Sequence, residues 1–345
     1  MTTSHSPDFH LNRPGVLIAA LPAVLGFVPE KSLVLVTIER GAMGCVMRVD
    51  LSDDLPDSLG HIAEVAASAG TDAAIAVVVD EAGANCRLCN EEYRDLTDAL
   101  AASLAEQGIE LLAAHVVDRV AAGGRWHCAD GCGCAGTIDD PSASPLAAAA
   151  VLDGRRLYAH RAELQDVIAV SDPARTAALA TVVRDGGRRT DAQARSDVQA
   201  AIAAAARVAA GEELADDTLA RLADALTDPT VRDTLYALAV GESAGQAESL
   251  WAELSRRLPE PWRVEALVLL AYSAYVRGDG PLAGVSLQAA LRCDGTHRMA
   301  AMLDTALQSG MRPERICELA ATGFRLADQL GVQLPPRRIF GQRAG

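Results

Sequence analysis

Four runs of aliphatic and β-branched residues, Ser32–Ile38, Cys45–Leu51, Ala73–Asp80 and Leu111–Val117, crowd the first 120 positions of this chain, and no run of that kind follows. Short apolar runs bounded by turn formers read as strands, so any sheet must be built from the N-terminal third. Gly41 and Gly44 sit between the first two runs, which therefore read as a hairpin. Helical segments precede the first run, over Pro14–Gly26, and fall between the later ones, over Pro56–Ala69 and over Glu91–Gln107, where Leu96, Leu100 and Leu104 recur every four residues. The order helix, β, β, α, β, α, β predicts an α/β domain with a mixed sheet over residues 14–120. Residues 121–144, rich in Gly, Cys, Asp and Ser, carry no periodicity and read as a Cys-bearing loop. Residues 1–13 and a basic tail, 335–345, are expected to be disordered.

From Pro145 to residue 334 only helical segments are expected, several opened by Pro and closed by Gly. The 67 alanines and the 3% aromatic content fit close helix packing. Residues 264–295 read as a helix-turn-helix. Ala271, Ala283 and Ala290 stand where the two helices would touch, and Gly278-Asp279 marks the turn. The pattern resembles a tetratricopeptide repeat, whose period is about 34 residues. Ala247, Trp251, Leu254 and Pro259 form a weaker upstream copy. An all-α, tetratricopeptide-like domain would offer a concave surface to a protein or peptide partner, around Ala271, Tyr275 and Ala283. The alternative is an ordinary helical domain whose alanines reflect composition.

Acidity is uneven. Residues 1–140 hold 21 Asp and Glu against 8 Lys and Arg, and residues 141–345 hold 25 against 23. Such an N-terminal region repels nucleic acid and anionic membranes, so neither is an expected partner. The apolar run Val16–Val28 is interrupted by Pro22 and Gly26 and is too short to span a bilayer. It also lacks the flanks of a secretory signal. A cytoplasmic location is expected, where grouped cysteines point to metal or redox chemistry before structural disulfides.

Three thiols, Cys128, Cys132 and Cys134, fall within seven residues beside two glycines, and Cys86 and Cys89 form a CxxC upstream. Thiols from both segments could make a tetrahedral thiolate site, with His127 as a substitute ligand. Zinc is the cofactor such a set would take; a thiol redox sensor and thiols without a joint role are the other readings. Cys45, Cys293 and Cys317 read as buried small hydrophobes. Phosphate-loop, dinucleotide-binding, zinc-protease and nucleophile-elbow motifs are absent. Asp80 and Asp118 follow the third and fourth strands, at the sheet edge where open α/β folds bind ligands. They are the residues an enzyme or small-molecule binder would use. The basic stretch from Arg184 to Arg189, with Arg195 after it, could grip a phosphate, but interleaved Asp185, Asp191 and Asp197 point to ion pairing instead.

Three segments resemble one family. The run from Pro22 to Val34 (PAVLGFVPEKSLV) is similar to its opening motif. Arg125 and Trp126 followed by Cys128, Cys132 and Cys134 resemble its tryptophan–cysteine motif. Ser144-Pro145, Ala147–Val151, Gly154 and His160–Leu164 resemble the segment after it. The family is the actinobacterial one known as domain of unknown function 4192, and the resemblance covers most of the chain. Family members usually carry two adjacent cysteines where this chain has Cys132-Gly133-Cys134, and Cys86 and Cys89 are not part of the pattern. The resemblance implies that Cys128, Cys132 and Cys134 form the core of any site. It supports a cytoplasmic location and transfers no catalytic residue. The expected role is a non-enzymatic interaction or regulatory protein, with a sheet-edge enzyme or binder and a redox sensor as the alternatives.

Overall fold

A computed structural model describes residues 13–68, 70–152, 157–183 and 187–336. Residues 1–12, Gly154, the start of the basic stretch at 184–186 and the tail from 337 lie outside the described residues. The chain divides into two compact units, residues 1–163 with 308–310, and residues 164–307 with 311–345.

The first unit is built on a six-stranded sheet of order β2-β1-β3-β4-β5-β6. Its strands are β1 (Ser32–Glu39), β2 (Ala42–Asp50), β3 (Ala73–Val79), β4 (Glu110–Val117), β5 (Arg125–Cys128) and β6 (Ala135–Thr137). β1 lies antiparallel to both β2 and β3, while β3 and β4 are parallel. The expected mixed sheet is therefore present. The segment 121–144 is not a plain loop, however. β5 pairs antiparallel with β4, and β6 with β5, so the cysteines sit in a hairpin that extends the sheet. A three-residue 3₁₀ turn, Pro141–Ala143, follows it, capped by the Asp140 carboxylate.

Every residue of β3 and all but the last of β1 are buried, which is why these strands read as continuous apolar runs rather than alternating ones. One face, carrying Leu33, Leu35, Ala76, Val78 and Val116, packs against α2 (Leu55–Ser68) and α3 (Arg87–Glu106) through Leu59, Ala63, Leu100 and Leu104. The other face carries Val34, Val36, Val77, Val117 and Trp126. There α1 (Pro14–Leu25), with Leu17, Ile18 and Leu21 fully buried, brings Gly15 against Trp126. Pro14 opens α1 and Gly26, at φ 74°, closes it in the left-handed conformation that glycine takes without a steric penalty. The short helix α4 (Pro145–Leu152) packs on α1.

After α5 (Arg161–Asp166), the chain is helical: α6 (Pro173–Ala180), α7 (Asp191–Ala209), α8 (Asp216–Leu226), α9 (Pro229–Leu235), α10 (Ala244–Arg257), α11 (Arg263–Val276), α12 (Gly280–Cys293), α13 (Arg298–Gln308), α14 (Pro313–Ile316) and α15 (Glu318–Leu330). Side-chain oxygens of Asp172, Thr190, Asp228 and Asp279 cap α6, α7, α9 and α12. α11 is the central helix, buried from Val264 to Val276 except at the half-buried Glu265, and packed against α10 and α12. Ala271, Tyr275 and Ala283 belong to this interior, at 1%, 3% and 0% exposure. They hold helix against helix and present no surface to a partner. The Arg189 side chain is 7% exposed and ion-paired to Asp197 at 2.9 Å and Asp224 at 2.6 Å.

Candidate functional site

The β5–β6 hairpin turn is a short span, Ala129–Cys134, held by its own backbone. Cys128 N–H donates to Cys134 O at 3.0 Å and Ala129 N–H to Ala114 O at 2.9 Å. The Asp130 carboxylate accepts from Cys132 N–H at 2.9 Å. Gly131 lies at φ 74°, the left-handed conformation that favours glycine, and the Arg94 guanidinium lies against it, 2.8 Å from where a Cβ would stand. Arg94 itself reaches from α3 to donate to Ala129 O at 3.1 Å.

This turn brings Cys128, Cys132 and Cys134 together, their sulfurs all within 4.8 Å of one another. Cys128 is half-buried and the other two are exposed. Pairing in β4–β5 sets His115 directly opposite Cys128. The His115 Nδ1 stands 3.7 Å from the Cys128 sulfur. A tetrahedral zinc with Zn–S near 2.3 Å and Zn–N near 2.05 Å separates sulfur from nitrogen by about 3.6 Å and sulfur from sulfur by about 3.8 Å. The Cys128–His115 spacing already matches, and the thiols would close on the ion by less than about 1 Å. His115 is 4% exposed and stacks edge-on against Trp126, 5.2 Å away. Burial lowers its pKa and keeps it neutral, the form that ligates metal. Burial, then the neighbouring Cys132 thiol, pushes the Cys128 pKa up to about 12, and Cys134 is raised chiefly by Cys132. Cys128 and Cys134 thus resist ionisation while no metal is bound, and an ion would displace their protons.

Sequence reading did not single out His115; only the strand register reveals it. His127, expected as the substitute ligand, points to the other face. Its Nε2 meets Asn90 Oδ1 at 2.7 Å, while Asn90 Nδ2 donates to the Cys86 and Ala84 carbonyls. Cys86 and Cys89 do not join the cluster. Cys86 is the N-cap of α3, and among the described residues the metal-competent thiols are Cys128, Cys132 and Cys134. Cys45, Cys293 and Cys317 are half-buried, and Cys293 donates to Glu260 at 3.0 Å.

Asp80 and Asp118 line a cleft of about 730 Å³ at the carboxyl ends of β3 and β4, together with Val28–Lys31 and Arg119–Ala121. Both carboxylates are engaged. Asp80 accepts from Tyr93 Oη and from Ala82 N–H. Asp118, 4% exposed, accepts from Arg119 N–H at 2.6 Å and Arg125 N–H at 2.8 Å and pairs with both guanidinium groups. Lys31, the chain's single lysine, enters the cleft wall at φ 40°, a conformation that lysine rarely adopts.

In the helical unit, a groove of about 630 Å³ runs along α13, α14 and α15, lined by Leu303, Ala306, Ile316 and Leu319. Met302 and Met311 also line it and are 50% and 43% exposed. Among the described residues no helix is long and apolar enough to cross a membrane.

The model of a protein family described as a domain of unknown function (DUF4192) matches residues 14–314. No curated protein and no solved structure matches the chain. The match spans nearly the whole chain, which therefore belongs to that family.

Proposed function

We propose that this family member is a cytoplasmic, non-enzymatic interaction or regulatory protein whose β5–β6 hairpin is fixed by a structural zinc ion. The observation that carries the metal reading is the convergence of the Cys128, Cys132 and Cys134 sulfurs within 4.8 Å of one another. The neutral imidazole of His115 stands beside Cys128 but outside the set of mutually close sulfurs, and would complete a Cys₃His set once Cys132 and Cys134 draw toward it around the ion. With His115 as the fourth ligand no open position would remain, and the ion would brace the sheet edge and not activate water. The helical unit would take the partner, and its methionine-lined groove supports that role, since methionine adapts to varied apolar surfaces. Elemental analysis of tag-free protein purified under reducing conditions, with thiol titration of the same sample, tests the metal. One zinc per chain and three protected thiols are expected; eight freely titrating thiols and no metal would sink it.

The second reading, a small-molecule binder at the sheet edge, is favoured by the cleft that holds Asp80 and Asp118. The hydrogen bonds that engage both carboxylates argue for a shaped wall rather than for acid–base chemistry there. A thermal-shift screen with nucleotides and small metabolites addresses it. Stabilisation that Asp118→Asn abolishes would support this reading, and the absence of any shift would count against it.

A further inference from the structure

The Cys86–Cys89 pair lies apart from the metal-competent cluster, at the first turn of a 20-residue helix that follows β3 and leads into the parallel strand β4. The two thiols face each other across that turn, each perturbing the other. Three-residue spacing at a helix start is within reach of a disulfide. Arg87 and Leu88, the residues between them, stand in solvent, Leu88 at 69% exposure. Both cysteines are themselves half-buried, so a partner can approach Cys86 while Cys89 stays packed against the core. Asn90 holds the turn rigid by donating to the Cys86 and Ala84 carbonyls at 2.7 and 3.0 Å.

We propose that Cys86 and Cys89 form a redox-active dithiol that exchanges with a partner disulfide, Cys86 as the nucleophile and Cys89 as the resolving thiol. The two thiols are differentiated in the sense this requires. The backbone N–H and thiol of Cys89 hold the Cys86 pKa below its ordinary value, and Cys89 is raised, first by the Cys86 thiol. In the exchange, the Cys86 thiolate attacks one sulfur of the partner disulfide. A Cys86–partner bond forms as the partner's S–S bond breaks, and one partner thiolate leaves. Cys89, giving its proton to solvent, then attacks the Cys86 sulfur. The Cys86–Cys89 bond forms and the second partner thiolate leaves. Two electrons have passed from the dithiol to the partner disulfide, and the partner's two thiolates take up protons.

The test uses the full chain, with its zinc content measured on the same sample so that loss of the hairpin metal is seen separately. The protein is equilibrated with glutathione disulfide and, in a second arm, with a disulfide-bearing peptide; bonds are located by peptide mass spectrometry. A Cys86–Cys89 disulfide in either arm is expected, and the arm that reacts faster tells whether the partner is a small thiol or a peptide. Cys89→Ser should accumulate a mixed disulfide at Cys86 at least about tenfold faster than Cys86→Ser accumulates one at Cys89. Serine is a favoured N-cap, so Cys86→Ser preserves the helix start, and Cys89→Ala serves if Cys89→Ser folds poorly. Reaction in neither arm, equal trapping by both variants, or oxidation confined to Cys128, Cys132 and Cys134 would overturn the proposal.

Discussion

Gly15→Ala should loosen the hairpin that carries the thiol cluster, although Gly15 touches none of its cysteines. Gly15 is the second residue of α1, and a Cβ built there falls 2.5 Å from the Thr137 carbonyl oxygen of β6 and 3.5 Å from Trp126 Nε1. Ordinary contact begins near 3.4 Å, so helix and strand backbones must part by about 0.9 Å. The ring of Trp126 blocks an easy escape, because Gly136 also lies against its Nε1 side, with a notional Cβ at 3.0 to 3.1 Å. Forced overpacking of this kind costs about 1–3 kcal/mol. Replacing glycine by alanine in a helix returns at most ~1 kcal/mol, and less in a first turn. The net expectation is a loss of about 1–2 kcal/mol. The matched control is Gly60→Ala, in α2, where nothing lies within 4 Å of the added methyl. There the propensity gain stands alone, up to ~1 kcal/mol of stabilisation. Calorimetry gives the two signs, and hydrogen exchange of the peptide spanning β5 and β6 locates the effect. Gly15→Ala that behaves like Gly60→Ala, with unchanged exchange in that peptide, would refute the clamp on Trp126.

His115→Ala should weaken zinc binding by at least ~100-fold, beyond the range of outer-sphere substitutions, whereas His127→Ala should leave it nearly unchanged; competition titration with a chromogenic chelator separates them, and equal effects would remove His115 from the ligand set. The pH response should reverse with metal. In metal-free protein the Cys128 pKa lies above its ordinary 9.0, at about 12, so its contribution to stability is complete below pH 9 and fades as pH rises from 9 to 12. Zinc instead needs the thiolates, so its apparent affinity should climb with pH; melting curves with and without chelator check both directions. Arg189→Met should cost about 1–3 kcal/mol by removing the guanidinium that Asp197 and Asp224 share, Asp197 keeping its pair with Arg221, and adding Asp224→Asn should recover part of it in denaturant melts.

The central strands and most helix limits were legible because their signals are local. Ser32–Ile38 and Ala73–Val79 are buried on both faces and so leave unbroken apolar runs. Proline starts α4, α6 and α14, and Thr190 with Gln193 forms the capping box of α7. β5 and β6 were not legible. They are four and three residues long, their side chains are mostly polar or absent, and they exist because β4 offers an edge to pair with. The same non-locality hid His115, which meets Cys128 only through strand register. It also misdirected the partner surface. Ala271, Tyr275 and Ala283 were marked by helix-contact spacing, and helix contact is what buries them.

Asn90 ties these separate readings together. Its amide nitrogen donates to the Gly83, Ala84 and Cys86 carbonyls just before α3, so its oxygen is the atom left to accept from His127 Nε2. That assignment fixes the His127 tautomer with its proton on Nε2 and holds the ring on the α3 face of the sheet. Along β5, where successive side chains alternate, His127 on one face requires Cys128 on the other, beside His115. The side chain that braces the Cys86–Cys89 turn thus also sets which way Cys128 points. Asn90→Ala would remove the donor from three backbone carbonyls and the acceptor from a half-buried imidazole. With one or two such groups left unsatisfied, the cost is about 1–3 kcal/mol. If this bracing orients β5, the substitution should both slow zinc uptake at Cys128, Cys132 and Cys134 and even out the reactivities of Cys86 and Cys89. A variant that changed one thiol set and left the other untouched would show that the two are built independently.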